Sequence, residues 1–277
     1  TVMKYSSQDY TFILFLSYAS TLMFLTTFVI KEYNMTENTY RLPVMETVKA
    51  AWSKVHGTKG SIWAIIGIFF LIEIVTGLLS SIGPKGGAMD IIFNILGSII
   101  QLFAGASLIY LAIRRAQDFP VQYKMAKDVL TARILLCTIG FYILELIVLI
   151  PAGLLMGLGV WILNKQAEPS HTMLALGSIS SIAGIILLIY LSIRMWLGYG
   201  AVVDKKLNPL DALRLSFKAT AGNVWNLVGL YIISVLVTLL CAITLGIGFI
   251  WGIPWALIAY GEAYKRLATR QDIRPIG

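Results

Sequence analysis

Seven apolar runs, each long enough to cross a membrane, limit what this chain can fold into more than any other feature. A hydrocarbon core of about 30 Å requires roughly 20 apolar residues in a helix. With 58% hydrophobic and 13% charged residues, the composition lies well outside that of soluble globular proteins. We therefore predict an all-α fold, a polytopic transmembrane helical bundle. The predicted spans are residues 11–30, 62–82, 91–113, 134–155, 174–196, 224–243 and 249–264.

The basic residues predict the orientation of these spans. Short loops that are rich in Lys and Arg remain in the cytoplasm. Of the 22 Lys and Arg residues, nineteen fall on one side of the predicted spans, and only Lys4, Lys85 and Lys165 fall on the other. This asymmetry predicts a cytoplasmic C-terminus. The net charge of +8 is spread over short loops between apolar runs, which favours anionic lipid rather than nucleic acid as the partner.

The chain divides into two predicted domains. Residues 1–34 hold an extra N-terminal transmembrane segment, and residues 35–277 form a six-span membrane domain. A cleavable signal peptide is the alternative for residues 11–30. Their full span length, with no A-x-A site following, favours a membrane span.

An internal repeat organises the membrane domain. The segment 47–57 aligns with 212–222, which pairs a basic, an aromatic and a glycine position in each copy. Later matches pair Trp63 with Trp225, and residues 108–114 with 188–194. We predict three units, each an amphipathic helix followed by a membrane hairpin. They cover about 44–118, 119–205 and 206–270.

The amphipathic helices are predicted to lie on the cytoplasmic surface of the membrane. Basic helices with a large aromatic side chain on the apolar face lie in the interface plane. The alternative is that their apolar faces pack against the membrane domain or against one another. The candidate lipid-surface contacts are Lys49, Trp52, Lys54, Arg214, Phe217 and Lys218.

Five polar side chains inside the predicted spans form a candidate intramembrane site. Glu73 and Glu145 occupy similar places in the first two units, and an acidic residue in hydrocarbon is a functional candidate because its charged form is costly there. A neutral Glu hydrogen-bonded between helices is the structural alternative. The amides of Asn94, Gln101 and Asn226 are candidates for hydrogen bonds between helices.

Sequence motifs of catalysis are missing. The chain contains no G-x-S-x-G, no H-E-x-x-H and no phosphate-binding loop ending in Gly-Lys-Ser/Thr. Cys137 and Cys241 lie in apolar runs and offer neither zinc spacing nor a disulfide framework. We therefore predict no enzymatic activity, no catalytic residues, no metal and no cofactor.

The segment 208–226, beginning Asn-Pro-Leu-Asp-Ala-Leu-Arg, and the Gly246-Ile-Gly248 turn resemble a group of bacterial inner-membrane proteins. This group includes the YciC type and the membrane domain of some glycerophosphodiester phosphodiesterases. The resemblance covers about residues 40–270. It implies six core spans and a multi-pass location in the bacterial inner membrane, and it carries no catalytic residues.

These observations predict a non-enzymatic membrane protein, an envelope scaffold or accessory subunit that contacts anionic lipid through its basic amphipathic helices. The alternative is a small transporter or exporter that uses Glu73 and Glu145. An intramembrane enzyme that acts on lipid has the least support. The predicted partners are membrane lipids, with a second copy of the chain or another membrane protein as further candidates.

Overall fold

The computed structural model describes residues 40–82, 86–164 and 170–269, and every regular element within these ranges is a helix. The predicted N-terminal span, 11–30, and its domain, 1–34, lie outside the described residues. A 3₁₀ helix covers Tyr123–Val129. The α-helices are α1 (Val44–Ser53), α2 (Lys59–Ser80), α3 (Ala88–Ala116), α4 (Ala132–Asn164), α5 (His171–Met195), α6 (Gly198–Asp204), α7 (Pro209–Thr220), α8 (Val224–Ile243) and α9 (Phe249–Ala268).

Five helical stretches in the described part of the chain are long and apolar enough to cross a membrane. Their most apolar windows are only 17% to 33% buried inside the protein, so most of their side chains need an apolar solvent. This finding confirms the all-helical fold and fits a multi-pass membrane protein. The stretches are Lys59–Ser80, Ala88–Ala116, Ala132–Asn164, His171–Asp204 and Val224–Ile243.

The sixth predicted core span, 249–264, forms a central packing helix. Of the 20 residues of α9, 12 are buried, and the helix packs against α1, α3 and α8. Its last turns carry Glu262, Lys265 and Arg266, which is why it falls outside the group of long apolar helices. The apolar run seen in the sequence is real, but it faces protein on most sides.

The turn between α8 and α9 lies beside the start of α2. The Lys59 ammonium group is 5.1 Å from the centre of the Trp251 ring, and Trp63 Nε1 donates to the Ile250 carbonyl at 3.1 Å. These contacts place the turn at the Lys59 end of α2 rather than at the Ser80 end. A sixth crossing by the predicted span 249–264 would place this turn at the Ser80 end, so these contacts do not support that crossing.

The described chain separates into two compact units, 150–188 and 41–149 with 189–269. Within the first, Ser180 Oγ donates to the Leu155 carbonyl at 2.8 Å. A Cβ atom added at Gly159 or Gly184 would collide with the backbone of the facing helix. Helix packing in this unit therefore depends on these glycines. Gly153 and Gly157, by contrast, face open space.

The short helices that precede the long helices of the three predicted units are not all of the same type. Asn208 is the residue before α7 and Pro209 is its first residue, a favourable position because proline there loses no helical hydrogen bond. The corresponding middle segment forms the 3₁₀ helix Tyr123–Val129 instead of the predicted amphipathic α-helix. The described structure therefore shows α-helical surface segments for the first and third units.

Candidate lipid-contact surface

Helix α1 buries small side chains and leaves large ones outside. Thr47, Ala51 and the following Val55 recur every four residues, a spacing that places them on one helix face, and each is at most 1% exposed. Met45 is 60% exposed and Trp52 is 53% exposed. Helix α1 therefore packs against the protein through a narrow stripe, while Trp52 remains on the outside. Part of the apolar face therefore packs against the protein, and contact of the exposed part with lipid stays a prediction.

Helix α7 repeats this arrangement. Ala212, Ser216 and Thr220 are completely buried, whereas Leu210 is 54% exposed. Ser216 Oγ donates to the Arg194 carbonyl at 2.7 Å, which fixes the buried face. The packing face thus consists of small residues here too, and a large aliphatic side chain points away from it.

The buried positions of α1 and α2 recur in α7 and α8 at one constant separation along the chain. Gly57 and Gly222 stand just before the two long helices, and their φ angles are +82° and +72°, a backbone region that glycine adopts without strain. At the separation between these glycines, six positions that are at most 1% exposed in the first segment match six in the second. The pairs are Thr47 with Ala212, Ala51 with Ser216, Val55 with Thr220, Thr58 with Asn223, Ile62 with Leu227, and Ile65 with Leu230.

The predicted pairing of Trp63 with Trp225 fails this comparison. Trp63 lies in the second turn of α2, half-buried and hydrogen-bonded to Ile250. Trp225 is the second residue of α8 and is 84% exposed. The two tryptophans therefore occupy different turns, and the shared W-x-apolar-apolar-G pattern reflects the similar composition of apolar helices rather than equivalent positions.

Lys54 is bound inside the protein instead of at the lipid surface. Its ammonium group lies 2.6 Å from Glu262 and 2.7 Å from Asp118, and it donates to the Ala116 carbonyl at 2.8 Å. Lys265 donates to the same carbonyl at 2.6 Å and to Asp118 at 2.9 Å. We call this group the Lys54 cluster. The prediction that Lys54 contacts lipid was wrong, because its ammonium group is bound by these carboxylates. The sequence does not reveal the contacts, since both partners are distant from Lys54 in the chain.

Two members of the Lys54 cluster, Asp118 and Lys54, keep their charges over a wide pH range. Hydrogen bonds from Lys54 and Lys265 lower the pKa of Asp118 from 3.8 to about 2. Burial acts to lower the pKa of Lys54, but hydrogen bonds to Asp118 and Glu262 outweigh it and raise this pKa above 10.5. The cluster therefore joins α1, the end of α3 and α9 by charged contacts at neutral pH.

The remaining predicted surface residues differ in exposure. Lys49, Arg214 and Lys218 are exposed, and Arg214 lies 3.3 Å from Asp211 of the same helix. Phe217 is half-buried, with the guanidinium carbon of Arg194 5.0 Å from its ring centre. Trp52 and Phe217 are therefore equivalent in position, but Phe217 packs against the protein through a buried arginine.

The structure brings together two of the five predicted intramembrane residues. Gln101 of α3 donates to Glu73 Oε1 of α2 at 2.7 Å. A Cβ atom at Gly97 would lie 3.3 Å from the same oxygen, so the glycine makes room for the carboxyl group. In the part of the chain that the structure describes, the buried Glu73 Oε2 has no hydrogen-bond partner. The pairing is the hydrogen bond between helices that the structural alternative requires, and the transport hypothesis stays a prediction.

The other three predicted intramembrane residues, Asn94, Asn226 and Glu145, do not join the pair of Glu73 and Gln101. The Asn94 amide donates to Asp90, four residues earlier in α3, at 2.7 Å. The Asn226 amide donates to Asn223 at 3.2 Å, beside the start of α8. Glu145 is half-buried on α4. The two asparagines therefore stabilise local structure at helix starts, and neither is the predicted bond between helices.

Comparison with known proteins identifies no family, since no family model, no curated protein and no solved structure matches this chain. The sequence resemblance described above therefore stays a prediction. A functional assignment depends on what the chain's own surfaces can do. The described geometry offers exposed apolar side chains next to exposed cations, on helices held firmly from their opposite face.

Proposed function

We propose that this chain is a non-enzymatic membrane protein, an envelope scaffold or accessory subunit, that contacts anionic lipid through its amphipathic helices α1 and α7. The observation that carries the proposal is the division of each helix into two faces. Small residues pack inward, while Met45 and Trp52 on α1 and Leu210 on α7 stay exposed beside Lys49 and Arg214. A helix that presents apolar and basic groups together fits the surface of an anionic membrane.

The finer architecture is part of the proposal. We infer three repeated units in a six-segment membrane domain, preceded by an extra N-terminal span. The matching buried positions around Gly57 and Gly222 support the relation between the first and third units. Helices α2 to α5 cross the membrane, whereas the turn of the α8–α9 hairpin stays on the basic side, beside Lys59.

The orientation follows from charge. Nineteen of the 22 basic residues fall on the side that carries the C-terminus, and this excess favours the cytoplasm. We place the protein in the bacterial inner membrane with a cytoplasmic C-terminus. Helices α1 and α7 then lie on the cytoplasmic leaflet, where anionic lipids create a negative surface potential.

Spin labels on the two exposed matching positions test the lipid contact. In a cysteine-free background, Met45→Cys and Leu210→Cys carry a nitroxide in nanodiscs of anionic or neutral lipid. We expect both labels to be more accessible to oxygen than to a water-soluble nickel chelate, and to lie deeper in anionic nanodiscs. Replacing Lys49, Arg214 and Lys218 by Gln should remove this difference, since each basic residue near an anionic surface contributes about 1 kcal/mol.

Lys54 is left unchanged in this variant because it stabilises the fold. The substitutions are at exposed positions, so the unfolding temperature in detergent should stay within a few degrees of the original. Labels that face water in both lipids, with no response to lipid charge or to the substitutions, would contradict the proposal.

A further inference from the structure

An open groove runs along the line where α1 packs against α8 and α9. One part has a volume of about 410 Å³ and is lined by residues that include Val48, Trp52, Val237 and Trp255. A second part of about 320 Å³ continues past Trp52 and Val237 towards the α8–α9 turn. Each part falls in the size range of small-molecule sites. The wall of the groove is carbon almost throughout.

Within the described residues, the polar side chains that line this groove are Lys49, Ser53, His56 and Thr244, and no carboxylate is among them. Lys49 borders the first part and is exposed. At the second part, the Lys59 ammonium group lies 5.1 Å from the ring centre of the lining residue Trp251. An apolar channel that ends beside ammonium groups fits a molecule with a long hydrocarbon part and an anionic head.

The position of the groove matches such a molecule. Trp255 Nε1 donates to the Val48 carbonyl at 3.3 Å, which holds α1 against α9 along the floor. Leu240 lines the groove and is itself 62% exposed, so the groove opens onto the apolar surface of α8. Lys59 marks the basic end of α2. A lipid in the leaflet on that side can therefore enter from the side, with its head beside Lys49.

We propose that this groove binds one anionic phospholipid, with an acyl chain along Trp52 and Val237 and the phosphate beside Lys49. The site rests on the proposed function, because it requires α1 to lie at the membrane surface. It goes further by assigning a discrete lipid position. A bound lipid would join α1 to the α8–α9 hairpin and bury the exposed side of Trp52.

Photocrosslinking tests this site with the full-length chain in nanodiscs. Phosphatidylglycerol or phosphatidylcholine with a diazirine in its acyl chain is added at equal mole fraction, and the adducts are mapped by peptide mass spectrometry. We expect adducts on groove residues, in clear excess with phosphatidylglycerol. The variant V237W should lose them because the indole fills the groove. The control V235W, on the exposed side of the same helix, should keep them.

A second variant covers the case in which V237W fails to fold. K49Q leaves the apolar wall unchanged and should reduce the preference for phosphatidylglycerol about fivefold, which corresponds to about 1 kcal/mol for one basic residue near an anionic surface. Equal adducts from both lipids, or adducts unchanged in V237W and K49Q, would overturn the site. The spin-label depths at Met45 and Leu210 would be unaffected by that outcome, so failure of the site and failure of the proposed function are distinguishable.

Discussion

Trp52 and Lys54 are two residues apart and face opposite ways. Successive helical residues are about 100° apart, so two positions differ by about 200°. Trp52 is exposed, whereas Lys54 reaches Glu262 of α9. The sequence predicts that both residues contact the lipid surface. The partner carboxylate, Glu262, lies inside the predicted span 249–264, so only the folded structure reveals the ion pair.

Glu262 should matter more for stability than Asp118, although both bind Lys54. The Glu262 side chain is 3% exposed and that of Asp118 is 66% exposed. Glu262→Ala leaves a largely buried ammonium group without its nearest carboxylate, and we expect a loss of about 3–5 kcal/mol in the free energy of unfolding. Asp118→Asn should cost below about 1 kcal/mol because water screens the pair, and asparagine, like aspartate, tolerates the φ of +70° at this position. Denaturant titration of the purified protein in detergent micelles measures both.

The pH dependence of stability provides a control for the same pair of variants. The pKa of Asp118 is lowered, so its contribution is present above pH 3.8 and is lost as the pH falls towards about 2. The pKa of Lys54 is raised above 10.5, so its contribution is lost only as the pH rises beyond that value. Asp118→Asn should therefore reduce the acid loss alone. Similar destabilisation by the two substitutions at neutral pH would contradict the assigned roles.

At the scale of elements, the predicted spans from 62–82 to 224–243 each overlap a long helix, because long apolar runs are the strongest signal in the sequence. The predicted span 249–264 overlaps α9, which is equally helical but largely enclosed. Hydropathy depends only on the amino-acid composition of a helix, and the protein interior and the lipid bilayer are both apolar surroundings. It therefore cannot distinguish a helix facing lipid from one packed against α1 and α3.

The glycine before α2 gives a test at this scale. Gly57 has φ +82° and no neighbouring atom within 4 Å of an added Cβ, so Gly57→Ala introduces backbone strain without a clash. We expect it to destabilise the protein by about 1–2 kcal/mol. Gly67→Ala is the matched control, since Gly67 lies inside α2 and also faces open space. This change should be neutral or stabilising by up to about 1 kcal/mol. Equal effects in thermal unfolding would argue against the strained turn.

At the scale of the whole molecule, the α8–α9 hairpin decides the topology. The sequence predicts six crossings of the core, while the contacts of Lys59 and Trp63 bring the hairpin turn back to the basic end of α2. Both arrangements leave the C-terminus on the same side, which explains why counting charges cannot separate them. The turn itself contains no charge, so the positive-inside rule has nothing to act on there.

Thiol labelling separates the two arrangements. Leu245 is 94% exposed at the hairpin turn. In a cysteine-free background, Leu245→Cys should not react with a membrane-impermeant maleimide added outside intact cells. Lys85→Cys, in the loop predicted to lie outside, should react, and Lys124→Cys should react only after permeabilisation. Labelling of Leu245→Cys from outside would show that the hairpin crosses the membrane.

The central place of α9 has a consequence for biosynthesis. The faces of α1 and α3 that pack against it lie more than one hundred residues earlier in the chain. The ribosome therefore releases those faces long before their partner exists. Until residues 249–268 emerge from the ribosome, Lys54 lacks its partner Glu262, and the faces of α1 and α3 that pack against α9 stay exposed. A nascent chain stalled before α9 should consequently be retained by insertion chaperones or degraded, even though its membrane spans are already in place.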